Sequence, residues 1–194
     1  MVCPMSEPLE EGWEQPAAQM HAEVEAYLAA LEQVSSGSAA DTALPLLLLS
    51  VGQMCAAGAR IGALVDVVPV ERFEPDAGPD ADLEEVREGL HALLGGLDDY
   101  CDVQDPVIST EVIPGSLSAD LVAVAADLSH GRTHYLEGRV TEAMWWWQFS
   151  FLSSWGERAA SALRVLLTLL SHVRLDADDE QVMEAQMAAL HGSA

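Results

Sequence analysis

Apolar residues recur at helical spacing along residues 139–175, a stretch that holds four of the five tryptophans of the chain. Two neighbouring stripes of apolar side chains repeat there at intervals of three, four or seven residues. Together they form an apolar surface much wider than one amphipathic face, which predicts a largely buried central helix. Gly156 interrupts this helix at a cost of about 1 kcal/mol relative to alanine. It therefore marks either a kink or the close approach of another backbone.

The same periodicity predicts four further helices and little β-structure. The predicted fold is all-α, a single-domain helical bundle of about five helices around the central Trp-rich helix, with long Pro-containing loops. The four helices cover residues 16–34, a run from Asp41 or Thr42 to about residue 68, residues 82–94, and residues 119–136 with Ser118 as the N-cap.

The ends of the chain differ from this helical domain. Residues 1–15 are acidic and predict a disordered tail, in which Trp13 docks onto either the body or a partner. The helical domain then covers residues 16–175, and residues 176–194 predict a short helix or a flexible tail. The N-terminus lacks a cationic start followed by an apolar run, so no signal peptide is predicted. The three cysteines are far apart and suggest no disulfide framework or zinc motif, which favours a cytoplasmic location.

The second helix contains the most apolar run of the chain and raises the question of a membrane span. Gln53 and Arg60 interrupt the run, and no basic flank follows it. These features favour a buried helix, and no membrane association is expected. Glycines at 52, 58 and 62 leave room for a close neighbour, for which the bulky tryptophan helix is the natural candidate.

The net charge of −24 arises from 32 acidic residues and only eight basic ones, all of them arginines. Such a charge argues against direct binding to nucleic acid or to an anionic membrane, and it permits a basic partner protein. The alternative explanation of this charge is solubility, or adaptation to a salty cytosol. The chain has no lysine and no asparagine, which indicates a source with a GC-rich genome.

Two residues stand out on the helical faces. Trp146 lies on the otherwise polar face of the central helix, one turn after Glu142. Either another segment covers it, or it forms a wall of a ligand or partner site, because exposed aromatic anchors dominate binding hot spots. Arg60 is expected to be buried. It either forms a structural pair with Asp127, Glu142 or Glu157, or binds an anion in a pocket.

Asp127, His130 and His134 fall on one face of the fourth helix. Carboxylates and imidazoles are suitable metal ligands, so the three form a weak candidate metal site. The alternative is a solvated helical face, and the fixed HExxH form of many zinc sites is absent. No cofactor is expected from the sequence.

Two further segments offer surfaces for a partner. Residues 71–105 hold twelve carboxylates against two arginines, which indicates either a solvated face or a docking surface for a basic protein. Residues 97–116 contain Pro106, Pro114 and Gly115, and they predict a loop with at most one short strand. The length of this loop makes it a candidate lid or partner arm.

Four segments taken in order resemble a known family. They are similar to the bacterial domain of unknown function 5063 family in its actinobacterial form, and the tryptophan block is the most specific of them. The resemblance covers most of residues 20–175. The segments read ALPLLLLSVGQMCAAGARIG, VVPVERFEPDAGPDADLEEVREGL, SLSADLVAVAADLSHG and EAMWWWQFSFLSSWG.

The resemblance implies a helical domain from a high-GC actinobacterium, with genes that often lie beside a recombination-repair gene. It implies no activity and carries no catalytic residue. Ser154 also stands where the family pattern leads us to expect Asn or His.

Two classes of function follow. The first is a protein-interaction adaptor or regulator, including a DNA mimic whose carboxylates imitate phosphates. The alternative is a small-ligand- or metal-binding enzyme that uses Arg60, Asp127, His130, His134 and Glu142 between the helices. No nucleophile motif or phosphate-binding glycine loop supports an enzyme. The interaction protein is therefore the preferred hypothesis.

Overall fold

The computed structural model describes residues 12–63, 66–69, 76 and 78–176. Within these ranges the chain forms α-helices together with one two-stranded antiparallel sheet. This confirms the predicted all-α bundle. The helices are α1 (Glu14–Ser35), α2 (Ala43–Gly62), α3 (Glu84–Leu94), α4 (Leu117–Leu136), α5 (Val140–Ser150) and α6 (Gly156–Ser171), and the strands are β1 (Asp99–Val103) and β2 (Val112–Ser116).

The predicted central helix is one continuous helical path that contains a π-turn. This turn, Phe151–Trp155, joins α5 to α6 without a break in the helical backbone. A Cβ atom added at Gly156 would lie 2.3 Å from the carbonyl oxygen of Phe151. Glycine is therefore required where the widened turn closes. The backbone that comes close belongs to the same helical path, and not to another segment as one of the two expectations had it. Trp147, which precedes the π-turn, and Trp155, which is its last residue, are both fully buried.

The small residues of α2 face the π-turn, as expected. A Cβ added at Gly58 would lie 2.4 Å from the Trp155 ring, and one added at Gly62 would lie 2.8 Å from the Phe151 ring. Among the described residues, one helical stretch, Ala40–Gly62, is long and apolar enough to cross a membrane (mean hydropathy 1.5), a test that the core helix of a soluble protein also passes. In the fold, α2 packs between α1 and α6.

The seam between α4 and α5 depends on one glycine and one tryptophan. A Cβ added at Gly131 would lie 2.3 Å from Nε1 of Trp147. That Nε1 donates a hydrogen bond of 3.0 Å to the carbonyl oxygen of Leu128. Two turns earlier in α4, the buried Tyr27 hydroxyl donates to the carbonyl oxygen of Leu121 at 2.8 Å. These bonds satisfy the polar atoms of large side chains that otherwise fill the core.

The predicted loop at 97–116 is instead a β-hairpin. Its register pairs Asp99 with Ser116 and Val103 with Val112. The proline and glycine in β2 disfavour a strand, which is why the sequence predicted a loop. Proline is tolerated on an edge strand, and each strand of a two-stranded hairpin is an edge strand. The α4 cap also differs from the expectation, because Ser116, and not Ser118, accepts a hydrogen bond from the Ala119 amide.

Asp98 fastens the hairpin to α3 and α4. Its buried carboxylate accepts the Ser118 amide at 2.7 Å, the Ser118 hydroxyl at 2.8 Å and the Ser116 hydroxyl at 3.0 Å. It also lies 2.8 Å from Nδ1 of His91 on α3. Burial alone raises the pKa of Asp98, but the hydrogen bonds from His91, Ser118 and Ser116 outweigh it, so this pKa is lowered.

The predicted tails lie mostly outside the described ranges. Residues 1–11 of the acidic tail and residues 177–194 of the C-terminal segment are among those that the structure does not describe. Trp13 is described. It precedes α1 and packs against the hydrophobic core, which agrees with docking onto the body.

Candidate functional site

Four of the predicted site residues gather between α4 and α5. The Trp146 ring lies 5.2 Å from the His130 ring and 6.4 Å from the His134 ring, measured between centroids. Glu142, one turn before Trp146, is 5% exposed, and the charge of its carboxylate acts to raise the pKa of His134. We call these four residues the α4–α5 cluster. Trp146 is therefore covered in part by the imidazoles of α4.

His134 is the most deeply buried member of the cluster, at 1% exposure. Its Nε2 lies 2.8 Å from the carbonyl oxygen of Asp76. A carbonyl only accepts, so Nε2 carries the proton and Nδ1 holds a lone pair in the neutral ring. Burial is the main cause that lowers the pKa of His134, so the ring is neutral at pH 7.

Two polar atoms of this cluster are buried without a hydrogen-bond partner in the described part of the chain. They are Nδ1 of His134, an acceptor, and Nε1 of Trp146, a donor. Unpaired buried polar atoms are uncommon and cost stability unless a water or ligand satisfies them. The cluster can therefore offer one acceptor and one donor to a small hydrogen-bonding molecule.

The structure does not gather Asp127, His130 and His134 into a metal-binding group. The described ranges contain no group of three or more His, Cys, Asp or Glu side chains that could hold a metal ion. Asp127 instead has a buried Oδ2 without a hydrogen-bond partner among the described residues. His134 stacks on Trp146, and the His130 ring lies tilted against it. Helical spacing placed the three residues on one face, but that face packs on α5.

Arg60 lies apart from the cluster, and the expectation that it is buried against Asp127, Glu142 or Glu157 is wrong. Its side chain is 59% exposed, and its guanidinium lies 3.6 Å from Glu23 on α1. The long side chain reaches solvent from the seam between α1 and α2, as arginine stems commonly do. It borders a mainly apolar cavity of about 310 Å³, which is also lined by Pro16, Gln19, Met20, Ala57 and Ile61.

A polar cleft that the sequence reading missed lies between the hairpin, the first turn of α4 and the start of α6. Its volume is about 300 Å³, at the lower limit of typical ligand pockets. We call it the hairpin–helix cleft. Its walls are formed by Tyr100, Asp102, Val103, Gln104, Ile113, Pro114, Gly115, Asp120, Ser153, Ser154, Glu157, Arg158 and Ser161.

Two aspartates organise this cleft. Asp120 is 8% exposed and accepts hydrogen bonds from the Tyr100 hydroxyl at 2.5 Å and from Arg158 at 3.0 Å. Asp102 accepts hydrogen bonds from the Ser161 hydroxyl at 2.5 Å and from Arg164 at 2.9 Å. The hydrogen bonds to these two carboxylates are charge-assisted, and together they hold the hairpin against α4 and α6.

The environment shifts two pKa values in the cleft. Burial, followed by the neighbouring carboxylate of Asp120, raises the pKa of the Tyr100 hydroxyl. Burial alone raises the pKa of Asp102, but hydrogen bonds from Ser161 and the Val103 amide and the charge of Arg164 lower it overall. Tyr100 is therefore a neutral donor at pH 7, and Asp102 is an anion.

The open side of the cleft carries an excess of negative charge. Asp102, Asp120 and Glu157 contribute three carboxylates to its walls, but Arg158 pairs with Asp120 and Arg164 pairs with Asp102, so Glu157 is the carboxylate left without an ion pair among these wall residues. Glu157 is exposed and has no ion pair within the described ranges. The π-turn sets Ser153 and Ser154 on the same side. The arrangement suits a cation better than an anion.

The hairpin ends in an exposed apolar tip, which we define as Val107 and Ile108. These side chains are 87% and 83% exposed. The tip is locally ordered, because Oδ1 of Asp105 accepts the Val107 amide at 2.8 Å and its carbonyl accepts the Ser109 amide at 2.8 Å. Two large apolar groups are thus held in water beside carboxylates.

Distance along the chain explains why sequence reasoning did not find the cleft. Asp120 and Arg158 are 38 residues apart, and Asp102 and Arg164 are 62 apart. No local spacing links such pairs. Two local signals bordered the cleft. Residues 97–116 were a candidate lid or partner arm, and Gly156 marks the π-turn, a feature that is frequent at functional sites.

Comparisons with other proteins agree with this architecture. The family model described as Domain of unknown function (DUF5063) matches residues 11–172, and no curated protein matches the chain. Among solved structures, the chain is similar to protein BF1032 from Bacteroides fragilis, with a TM-score of 0.63 and 16% identity, over 80% of this chain and 92% of that one. This likeness shows the fold alone. Because the family model spans most of the sequence, the chain belongs to the DUF5063 family.

Proposed function

We propose that this protein is an acidic cytoplasmic interaction module, an adaptor or regulator, that binds a basic partner protein through its β-hairpin. The observation that carries the proposal is the exposed apolar tip, Val107 and Ile108, held in order by Asp105. Exposed apolar groups that are clustered and ordered commonly mark binding surfaces.

The energetics favour a partner with an apolar pocket. Fully burying a side chain such as Val or Ile contributes about 1.5–3 kcal/mol, so two adjacent side chains can anchor a contact. Asp105 and Glu111 flank the tip, and the whole chain carries a charge of −24. A basic rim around the partner's pocket would therefore speed association and give it salt dependence.

A DNA mimic is a special form of this proposal. In that form the carboxylates would occupy the DNA-binding face of the partner, and DNA would compete with the protein for it. The family resemblance implies neighbouring recombination-repair genes, so DNA-repair proteins are the first partners to test. The absence of lysine and asparagine supports an actinobacterial source.

Affinity capture from a source extract tests the proposal, at about 0.1 M and about 0.5 M salt, because the screening length of about 10 Å at 0.1 M shortens as salt rises. The test variant is Val107→Ser/Ile108→Ser. The matched control is Leu136→Ser/Val173→Ser, which alters two side chains that are 60% and 58% exposed elsewhere. We expect one basic protein to be lost with the tip variant and weakened by salt, but retained by the control. Equal capture by all forms would contradict the proposal.

The alternative, a small-ligand enzyme, is favoured by one observation, the unpaired Nδ1 of His134 beside the unpaired Nε1 of Trp146. Native mass spectrometry of protein purified from its source would test it. A bound small molecule that is lost in His134→Gln would support this role. Elemental analysis of the same sample, purified without an affinity tag, would test the metal form. Protein that carries neither a small molecule nor a metal would count against both.

A further inference from the structure

The hairpin–helix cleft combines two kinds of wall. On the hairpin side, Val103, Ile113 and Pro114 present apolar surface. On the α6 side, Glu157 presents a carboxylate with no ion pair among the described residues. A group that matches both walls needs an aliphatic stem and a cationic end, which is the chemistry of lysine and arginine side chains.

The size and charge of the cleft further limit the classes of ligand that it can bind. A volume of about 300 Å³ accommodates one side chain better than a nucleotide or a large cofactor, whose pockets lie higher in the usual range of about 300–1,000 Å³. Once the Asp120–Arg158 and Asp102–Arg164 pairs are counted, the carboxylate of Glu157 leaves the cleft with excess negative charge, and the whole chain is strongly acidic. An anionic ligand would meet this field unfavourably, whereas a cation would be attracted.

The cleft already recognises a guanidinium from its own chain. Arg158 donates to Asp120 at 3.0 Å, and Tyr100 donates to the same carboxylate at 2.5 Å. Asp120 is thereby satisfied, and Glu157, one residue before Arg158, is left to face a second cation. Ser153 and Ser154 stand beside it as neutral hydrogen-bonding groups.

We propose that the hairpin–helix cleft binds a lysine or arginine side chain of the basic partner, with the aliphatic stem along the hairpin and the cationic end at Glu157. This inference rests on the proposed interaction function and names its second anchor. The apolar tip and the cleft lie on the same hairpin, so one partner segment can engage both. The tip contributes apolar burial, and the cleft selects for positive charge.

A titration of the full-length, ¹⁵N-labelled protein tests the cleft without the partner. The probe is N-acetyl-arginine amide, and its control is N-acetyl-citrulline amide, which keeps the shape but lacks the charge. We expect the arginine probe to shift the backbone amide signals of Gly115, Ser154 and Ser161 in a saturable manner. The citrulline probe should leave them in place. Equal shifts with both probes, or none with either, would overturn the proposal.

Glu157→Gln should weaken binding of the arginine probe about two- to fivefold, the range expected for one exposed charge pair. Glu88→Gln on α3 is the matched control, because it removes one exposed carboxylate outside the cleft. The control should bind the probe like the wild type. A Glu157→Gln protein that binds the probe unchanged would contradict the role of Glu157.

The captured partner then shows whether the cation belongs to it. Glu157→Gln should weaken the partner by a similar factor, and spermidine should compete only weakly. Probe binding with an unaffected partner, or tight binding of spermidine, would show that the cleft takes a free cation, and would overturn the proposal. If the cleft binds the arginine probe but the tip variant captures the partner as well as the wild type does, only the proposed interaction function is refuted. Failure of the cleft proposal and failure of the proposed function are therefore distinguishable.

Discussion

The α4–α5 cluster and the hairpin–helix cleft both gather polar side chains, but burial and pairing differ between them. In the cluster, His134 is 1% exposed, and its Nδ1 has no partner among the described residues. In the cleft, Asp120 is 8% exposed and accepts hydrogen bonds from two side chains. Its neighbour Glu157 lies open to solvent.

The difference in burial and pairing indicates that the two regions have different roles. The cluster lies on a seam between helices, where the rings of His130 and His134 pack against the Trp146 ring. The cleft lies where a hairpin meets two helices, and its paired charges keep the walls rigid while one carboxylate remains accessible. A rigid wall with an accessible charge suits recognition, because little ordering is needed when a partner binds.

The largest effect should come from filling the seam beside the cluster. Gly131→Ala puts a Cβ 2.3 Å from the buried Trp147 ring, and overpacking a core costs typically about 1–3 kcal/mol, occasionally more. We expect the free energy of unfolding in urea to fall by about 3 kcal/mol. Gly96→Ala is the control, since an added Cβ there meets nothing within 4 Å. Similar losses in both variants would contradict the tight seam.

The next largest loss of unfolding free energy should come from weakening the attachment of the hairpin at Asp98. Asp98→Asn removes the charge from a carboxylate that accepts bonds from His91, Ser116 and Ser118, and the loss should be about 2 kcal/mol at pH 7. Amide signals of the cleft should shift more than those of Trp146 and its neighbours. A change centred on Trp146 would contradict the independence of the two regions.

The pH dependence of Asp98 has a defined sign. Its pKa is lowered in the folded state, so its contribution is complete above the unfolded pKa of about 3.9 and is lost as pH falls through the folded pKa. The stability difference between wild type and Asp98→Asn should therefore shrink below about pH 4. Urea unfolding at several pH values would measure it, and a difference independent of pH would contradict this role.

A smaller effect should follow Asp120→Asn, which weakens the attachment of Tyr100 and Arg158. We expect a loss of about 1 kcal/mol, because Arg158 remains half exposed. The pKa of Tyr100, raised by burial and by Asp120, should move toward its ordinary value. Absorbance of the phenolate during an alkaline titration would report it, and an unchanged Tyr100 pKa would contradict the coupling.

The smallest effect should come from His134. Burial lowers its pKa, so the unfolded chain binds a proton more readily than the folded one. The contribution of His134 is complete above the unfolded pKa of about 6.5 and is lost as pH falls through the folded pKa. NMR titration of its ring should give a midpoint below that of an unfolded control peptide. A midpoint above it would place His134 in an exposed or anionic setting.

The sequence predicted the parts of the fold that depend on local periodicity. The helical path from α5 through α6 follows from repeated apolar residues. Gly156 was predicted only to mark a kink or the approach of another backbone, and the π-turn that requires it appears only in the fold. The hairpin could not be predicted in this way. Pro114 and Gly115 disfavour a strand locally, and only the pairing of β2 with β1 makes one.

The candidate site was predictable only in part, for a related reason. Helical spacing correctly placed His130 and His134 on one face, and it marked Trp146 as unusual. It could not show what covers each face, so Arg60 was expected inside but lies exposed beside Glu23. Likewise, the pairing of Asp102 with Arg164 spans 62 residues and exists only in the fold.

The most direct test of the hairpin as the recognition element is the dissociation constant of the captured partner for wild type and for Val107→Ser/Ile108→Ser, at about 0.1 M salt. Loss of two buried apolar anchors should weaken binding at least about tenfold, which corresponds to about 1.4 kcal/mol. The Leu136→Ser/Val173→Ser control should bind like the wild type. Equal dissociation constants for wild type and the tip variant would show that the partner binds elsewhere.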